Sequence, residues 1–132
     1  MTVNKIHKKL LDHLKTGVIL LDENLQLTFL NLAAEQIFEI SERKALSSSL
    51  DELLVGAEED LLEIREAIAS GSSFTKREAR LRLSHSKRIE VDYTVKVFED
   101  KQGKQVLLEL DSLEHAYRIN REESANSTHT TT

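Results

Sequence analysis

The sequence predicts an α+β domain built on one five-stranded antiparallel sheet. Helices lie over one face, an amphipathic helix precedes the sheet and an exit helix follows it. Three observations carry this. Residues 17–40 read as strand, tight turn, strand and capped helix. Residues 58–70 carry apolar side chains at helical spacing. Residues 88–97 alternate strictly: Ile89, Val91, Tyr93, Val95 and Val97 on one face, Arg88, Glu90, Asp92, Thr94 and Lys96 on the other. Such alternation marks an antiparallel strand with one buried and one wet face.

Residues 4–15 predict the first helix, with Ile6, Leu10, Leu11 and Leu14 on one face and Lys5, Lys8, Lys9 and Asp12 mostly on the other. Asn4 suits its N-cap and Gly17 its C′ position. The narrow apolar stripe fits docking on the domain's own sheet or a dimer seam carried by Ile6, Leu10 and Leu14. His7 and His13 are poorly spaced for a shared metal and read as surface residues. Val18 to Leu21 is a short apolar run. Asp22-Glu23-Asn24 is turn chemistry, because short polar side chains bond nearby backbone. Leu25, Leu27 and Phe29 alternate with Gln26 and Thr28 as a strand, and Asn31 caps helix 32–40 by accepting an orphan N–H.

A broken zone follows. Ser41 caps a single turn at 42–46, Ser47-Ser48-Ser49 is a connector, and Ser49 with Glu52 has capping-box spacing. Leu50, Leu53 and Leu54 anchor that short helix, which Gly56 ends. In 58–70, Leu61, Leu62, Ile64, Ile68 and Ala69 form the apolar face, and Gly71 is the C′ residue. Glu58, Glu59 and Asp60 could suggest acid–base or metal chemistry, but a helix start explains them, since the macrodipole favours acids there. Residues 78–83 alternate as a strand. Charge sets its expected register: Leu83 opposite Ile89, Arg82 beside Glu90, Arg80 beside Asp92, with 84–88 as the connection and His85 exposed. Residues 99–104 turn the chain into a strand at 105–110. Asp111-Ser112-Leu113-Glu114 then opens the exit helix, with Leu113, Ala116 and Tyr117 on one face. The tail SANSTHTTT has no apolar anchor and reads as disordered. The expected division is a helix at 1–16, a core at 17–111, a linker helix at 112–123 and a tail at 124–132.

The chain has 132 residues, enough for one core. A net charge of −5 argues against nonspecific nucleic-acid binding. With no cysteine, the 132 residues hold no disulfide, thiolate metal site or cysteinyl cofactor adduct. No apolar run approaches the ~20 residues that span a bilayer, and no secretion signal is recognisable. A cytoplasmic protein is the expectation. No nucleophile–base pair, metal cluster or phosphate loop suggests an enzyme.

These residues carry a resemblance. Gly17, Val18, Asp22, Asn31, Ala33, Ala34, Glu35 and Phe38 resemble the opening of PAS domains, with Leu32 and Glu39 where that pattern has proline and glycine. Asp111-Ser112 resembles the signal-transfer motif at the end of PAS sheets, without its threonine. The resemblance implies a PAS-like sheet, pairing of two copies, and signal exit through Asp111, Ser112, Leu113 and Tyr117. More narrowly, residues 10–41 and 106–124 are similar to the N-terminal sensor domain of the NtrB family of nitrogen-regulation histidine kinases. That similarity implies a regulatory fragment of a cytosolic homodimeric kinase, with a PII signal protein and the NtrC response regulator as partners of the full-length parent. His129 does not match the family's phospho-acceptor motif, and no glycine-rich ATP lid is present, so kinase chemistry is expected beyond residue 132. Leu30, Phe38, Leu61, Ile64, Phe74 and Tyr93 are the expected interior. They read as a packed core without cofactor; no histidine on 58–70 offers a haem ligand. The alternative is a stand-alone PAS sensor of a small ligand or chromophore.

Overall fold

The computed structural model describes residues 5–113. The expected cap Asn4, the exit-helix residues Ala116 and Tyr117 and the tail lie outside the described residues. The order is α1 (Lys5–Asp12), β1 (Gly17–Asp22), β2 (Leu27–Leu30), α2 (Leu32–Phe38), α3 (Glu42–Ala45), α4 (Leu50–Leu53), β3 (Leu54–Val55), α5 (Glu58–Ser70), β4 (Phe74–Leu83), β5 (Arg88–Asp100) and β6 (Gly103–Ser112). The strands form one antiparallel sheet in the order β2-β1-β6-β5-β4-β3. The sheet has six strands rather than five because the chain leaves α4 already extended. Leu54 and Val55 pair with Leu83 and Arg82, so Leu54 belongs to a strand and not to the preceding helix.

One large core lies between the inner sheet face and α2–α5. Leu30, Phe38, Leu61, Ile64 and Tyr93 are buried in it, and Phe74 packs at its margin. Each fully buried aliphatic or Phe side chain contributes about 1.5–3 kcal/mol of transfer free energy. In α5 the inward residues are Leu61, Ile64, Ala67 and Ile68; Leu62 and Ala69, expected on that face, are exposed. The 3.6-residue period places Leu62 beyond the edge of the buried stripe. Gly71 ends the helix at φ 71°. Its last turn is capped by Lys104 Nζ, which donates to the Ile68 carbonyl at 2.8 Å.

Two hairpins are closed by the same device. In β1–β2, Asp22 N donates to Gln26 O and Leu25 N to Asp22 O, with Leu25 at φ 64°. In β4–β5, Leu83 N donates to Lys87 O and Ser86 N to Leu83 O, with Ser86 at φ 73°. Three-residue loops that finish in a left-handed residue fix register rigidly. Leu25 therefore closes a turn and is not the first strand residue. The β4–β5 register also differs from the one expected from charge: Leu81 faces Ile89, Arg80 faces Glu90 and Arg82 faces Arg88. Turn geometry overrides charge pairing here. This register brings the Glu78 and Asp92 carboxylates toward one another, and a bulge resolves the clash. Arg77 and Glu78 together stand opposite Asp92, Glu78 turns left-handed (φ 54°), and its N–H donates to Asp92 Oδ1 at 2.8 Å. A second irregularity, at Thr28, puts Leu27 opposite Leu21 on the inner face but Phe29 opposite Leu20 on the outer face. Strict alternation would have kept Leu27 and Phe29 together.

The outer face at β2, β1 and β6 holds a small apolar cluster of Val18, Leu20 and Phe29, with Leu11, Leu107 and Phe98 at its edge. β6 runs through Ser112, so Asp111 and Ser112 are strand residues opposite Asp92 and Val91. The helical conformation begins at Leu113, one residue after the expected start of the linker helix at 112.

Candidate functional site

The residues with the most connected chemistry link the N-terminal helix to the point where the chain leaves the sheet. Asn31 is fully buried and caps α2: its Oδ1 accepts from Ala34 N at 3.0 Å. The same oxygen accepts from Val18 N at 2.8 Å, and Nδ2 donates to Leu11 O and Thr16 O, both at 2.9 Å. One amide thus joins the end of α1, the connector, β1 and α2. Thr16 Oγ1 in turn donates to Asp111 Oδ1 at 2.9 Å. Helix capping made Asn31 recognisable in the sequence. Its two long-range donor bonds had no local signal.

Gly17 serves this junction by being small. It is the first residue of β1, opposite Leu110, and not a helix cap. α1 ends earlier, with His13 N and Leu14 N bonding back three residues to Leu10 O and Leu11 O. A Cβ on Gly17 would lie 3.1 Å from Ile37 Cδ1 and 3.3 Å from Ala34 Cα, so only glycine lets α2 pack this closely on β1.

α1 is held mainly by its polar residues. Lys8 Nζ lies 3.3 Å from Glu42 Oε2, 3.5 Å from Asp12 Oδ2 and 5.5 Å from the Phe29 ring centre. Burial alone would lower the Lys8 pKa, but the Glu42 and Asp12 carboxylates outweigh it and hold the ammonium above its ordinary value. Asp12 Oδ1 accepts from Leu32 N at 2.7 Å. Of the four expected stripe residues only Leu11 packs on the domain. Ile6, Leu10 and Leu14 are 70%, 63% and 47% exposed. The expected single apolar face is therefore divided, because Leu11 lies on the side of Lys8 and Asp12.

A second cluster sits between α5 and the sheet. Asp60 Oδ1 accepts from Tyr93 Oη at 2.6 Å and from Lys76 Nζ at 2.7 Å. Burial first, then the bond to Asp60, pushes the Tyr93 phenol well above its ordinary value. The bond to Asp60 likewise raises Lys76 against the opposing effect of burial. The phenol stays protonated and Asp60 serves as acceptor, an arrangement that joins helix to sheet. The adjoining cavity, bordered by Phe38, Ile64, Tyr93 and Leu108, measures about 10 Å³, roughly one water.

Among the described residues, no three His, Cys, Asp or Glu side chains are grouped to hold a metal ion. No helix among them is long and apolar enough to cross a membrane.

A family profile described as PAS fold matches residues 7–111. The sensory histidine kinase/phosphatase NtrB of Escherichia coli O157:H7 is 27% identical over 115 residues, covering 87% of this chain and 32% of that protein. NtrB of Vibrio alginolyticus is 24% identical over 113 residues, covering 86% and 32%. The chain thus spans about a third of the length of the curated relatives it matches. The crystal structure of the PAS domain of nitrogen regulation protein NR(II) from Vibrio parahaemolyticus superposes with a TM-score of 0.67 at 21% identity, covering 83% of this chain and 99% of that one. A PAS domain from a two-component sensor histidine kinase gives 0.66 at 22% identity, covering 82% and 94%. The profile match extends over most of the chain, and the chain belongs to the PAS family.

Proposed function

We propose that this chain is the sensory and dimerisation module of a two-component sensor histidine kinase that controls nitrogen metabolism. On this reading 1–16 is a pairing helix, 17–111 the PAS core, 112–123 the linker helix and 124–132 a polar tail. Two copies pair through Ile6, Leu10 and Leu14. A shift in that pairing moves Asp111, Ser112 and Leu113 and, beyond the described residues, Tyr117. The parent kinase carries the phosphoryl chemistry, acts on an NtrC-type response regulator under PII control, and works in the cytoplasm.

One observation carries the reading. The C-terminal end of α1, the helix that carries the exposed stripe, is tied by the Leu11 carbonyl through Asn31 and Thr16 to Asp111, at the strand end from which the chain leaves the sheet. A pairing helix bonded to an exit strand is what transmission by population shift requires. Similarity to NtrB supports the nitrogen-regulation assignment. Sedimentation analysis tests the seam: a dimer for the native chain, and dissociation by at least tenfold with Leu10→Asp while circular dichroism stays unchanged. A monomer at high concentration removes the pairing helix. Kinase and phosphatase assays of the full-length parent carrying Leu10→Asp test the rest; an unchanged balance between the two activities defeats it. A metabolite retained in native mass spectrometry would favour the stand-alone sensor.

A further inference from the structure

The outer face of the sheet changes character from end to end. At β2, β1 and β6 it carries the apolar cluster against which Leu11 packs. Toward β3, where Arg82 and Arg88 lie side by side, it is basic. Val55 faces Arg82 and Arg82 faces Arg88, one row across three strands; Arg80 and Glu90 form the next row. These residues and Gly56 border an open groove of about 770 Å³. Glu90 Oε1 lies 3.5 Å from Arg80 Nε, but among the described residues neither Arg82 nor Arg88 has an ion-pair partner.

Like charges directly opposite one another weaken strand pairing. Sliding β4 by two residues would set Arg82 beside Glu90, yet the three-residue turn holds Arg82 against Arg88. A chain of net charge −5 thus concentrates uncompensated guanidinium groups at one place, beside the exposed side chain of Val55. Guanidinium forks bind carboxylates bidentately. The open, solvent-facing shape suits an extended chain, whereas small-molecule sites enclose their ligands.

We propose that this groove is a docking surface for an acidic peptide segment of a protein partner, with carboxylates on Arg82 and Arg88 and an apolar side chain on Val55. The occupant relieves the repulsion that the turn imposes.

The test is a nitrogen-15 NMR titration of the chain at low ionic strength with a hexapeptide alternating leucine and glutamate. A leucine–lysine hexapeptide and inorganic phosphate run in parallel. The amides of Val55, Gly56, Arg82 and Arg88 move with the acidic peptide, and the affinity falls steeply with added salt. It falls at least tenfold in the Arg82→Gln/Arg88→Gln pair, which removes charge while keeping long polar side chains on the strands. Without any peptide, Arg88→Glu raises the melting temperature by ~1–4 °C, because it replaces a repulsive pair with an attractive one. The proposal is overturned if those amides stay still or if the lysine peptide moves them equally. Phosphate binding as tightly as the peptide would make this a small-anion site instead. Dissociation of a dimer by Arg82→Gln would make the occupant a second copy of the chain.

Discussion

Thr16 Oγ1 donates a 2.9 Å hydrogen bond to Asp111 Oδ1 across 95 residues of sequence. Asp111 also stands opposite Asp92 in the sheet, an unfavourable like-charge pairing. The Thr16 hydroxyl supplies one oxygen of Asp111 with a donor, and the bulge amide of Glu78 does the same for Asp92. Replacing Thr16 by valine keeps the branched shape and deletes the donor. The bond is exposed, so global stability falls by under ~1 kcal/mol. Its local effect is larger. Amide exchange at Ser112 and Leu113 accelerates in Thr16→Val, while exchange in β4 is unchanged. Equal protection at Ser112 in both proteins would mean that the contact does not order the exit.

Asn31 is the other half of this connection, and two substitutions separate its roles. Asn31→Ala removes all four side-chain bonds and leaves buried N–H and C=O groups unpaired. The cost is about 3 kcal/mol by urea unfolding. Asn31→Asp keeps the acceptor for Val18 N and Ala34 N but sets a carboxylate oxygen against the Leu11 and Thr16 carbonyls. Its signature is loss of exchange protection confined to α1, with α2 preserved. Protection lost equally from both helices would show that the amide is not the hinge between them.

The long-range bonds of this hub leave no mark in the sequence, and the reason is range. Ser41, Asn31 and Gly71 were recognisable because capping acts within one helical turn. Strict alternation in 88–97 likewise identified the inner face of β5. The misreadings involve non-local competition. Charge favoured Arg82 beside Glu90, but closure of a three-residue loop by Leu83 and Lys87 outweighs a surface pair worth a few tenths of a kcal/mol. The bulge at Thr28, which sends Phe29 to the outer face, had no glycine to announce it. Asp60 has only the local signature of a helix-start acid, because its partners Tyr93 and Lys76 come from β5 and β4.

That Asp60 cluster makes a pH prediction. Tyr93 and Lys76 both have pKa values raised in the folded state above ordinary values of 10.0 and 10.5. Above these values the unfolded chain releases protons that the folded one keeps, so it binds fewer protons and stability falls with rising pH. The contribution is intact at neutral pH and is lost progressively above about pH 10. Urea midpoints measured from pH 7 to 11 should be level and then decline. Tyr93→Phe lowers the unfolding free energy at neutral pH by ~1–2 kcal/mol, since a part-buried hydrogen bond to a carboxylate oxygen is removed. It also flattens the alkaline decline. A decline of unchanged steepness would place the responsible group elsewhere.

The two non-glycine turn residues give opposite outcomes for one substitution. Ser86 is exposed at φ 73°, and among the described residues its side chain makes no hydrogen bond. Left-handed backbone costs an L-residue about 1–2 kcal/mol, and glycine returns about half of that as unfolded-state entropy. Ser86→Gly therefore stabilises the domain by ~0.5 kcal/mol. Leu25 has nearly the same backbone at φ 64°, but its side chain is fully buried in the main core. Leu25→Gly gains the same relief and loses a core side chain whose removal costs about 2–5 kcal/mol. The net effect is a loss of ~1.5–4.5 kcal/mol. Paired urea unfolding curves decide the matter. Two stabilising shifts would mean that backbone strain, and not the burial of Leu25, governs these turns, and a destabilised Ser86→Gly would show that glycine relieves no strain there.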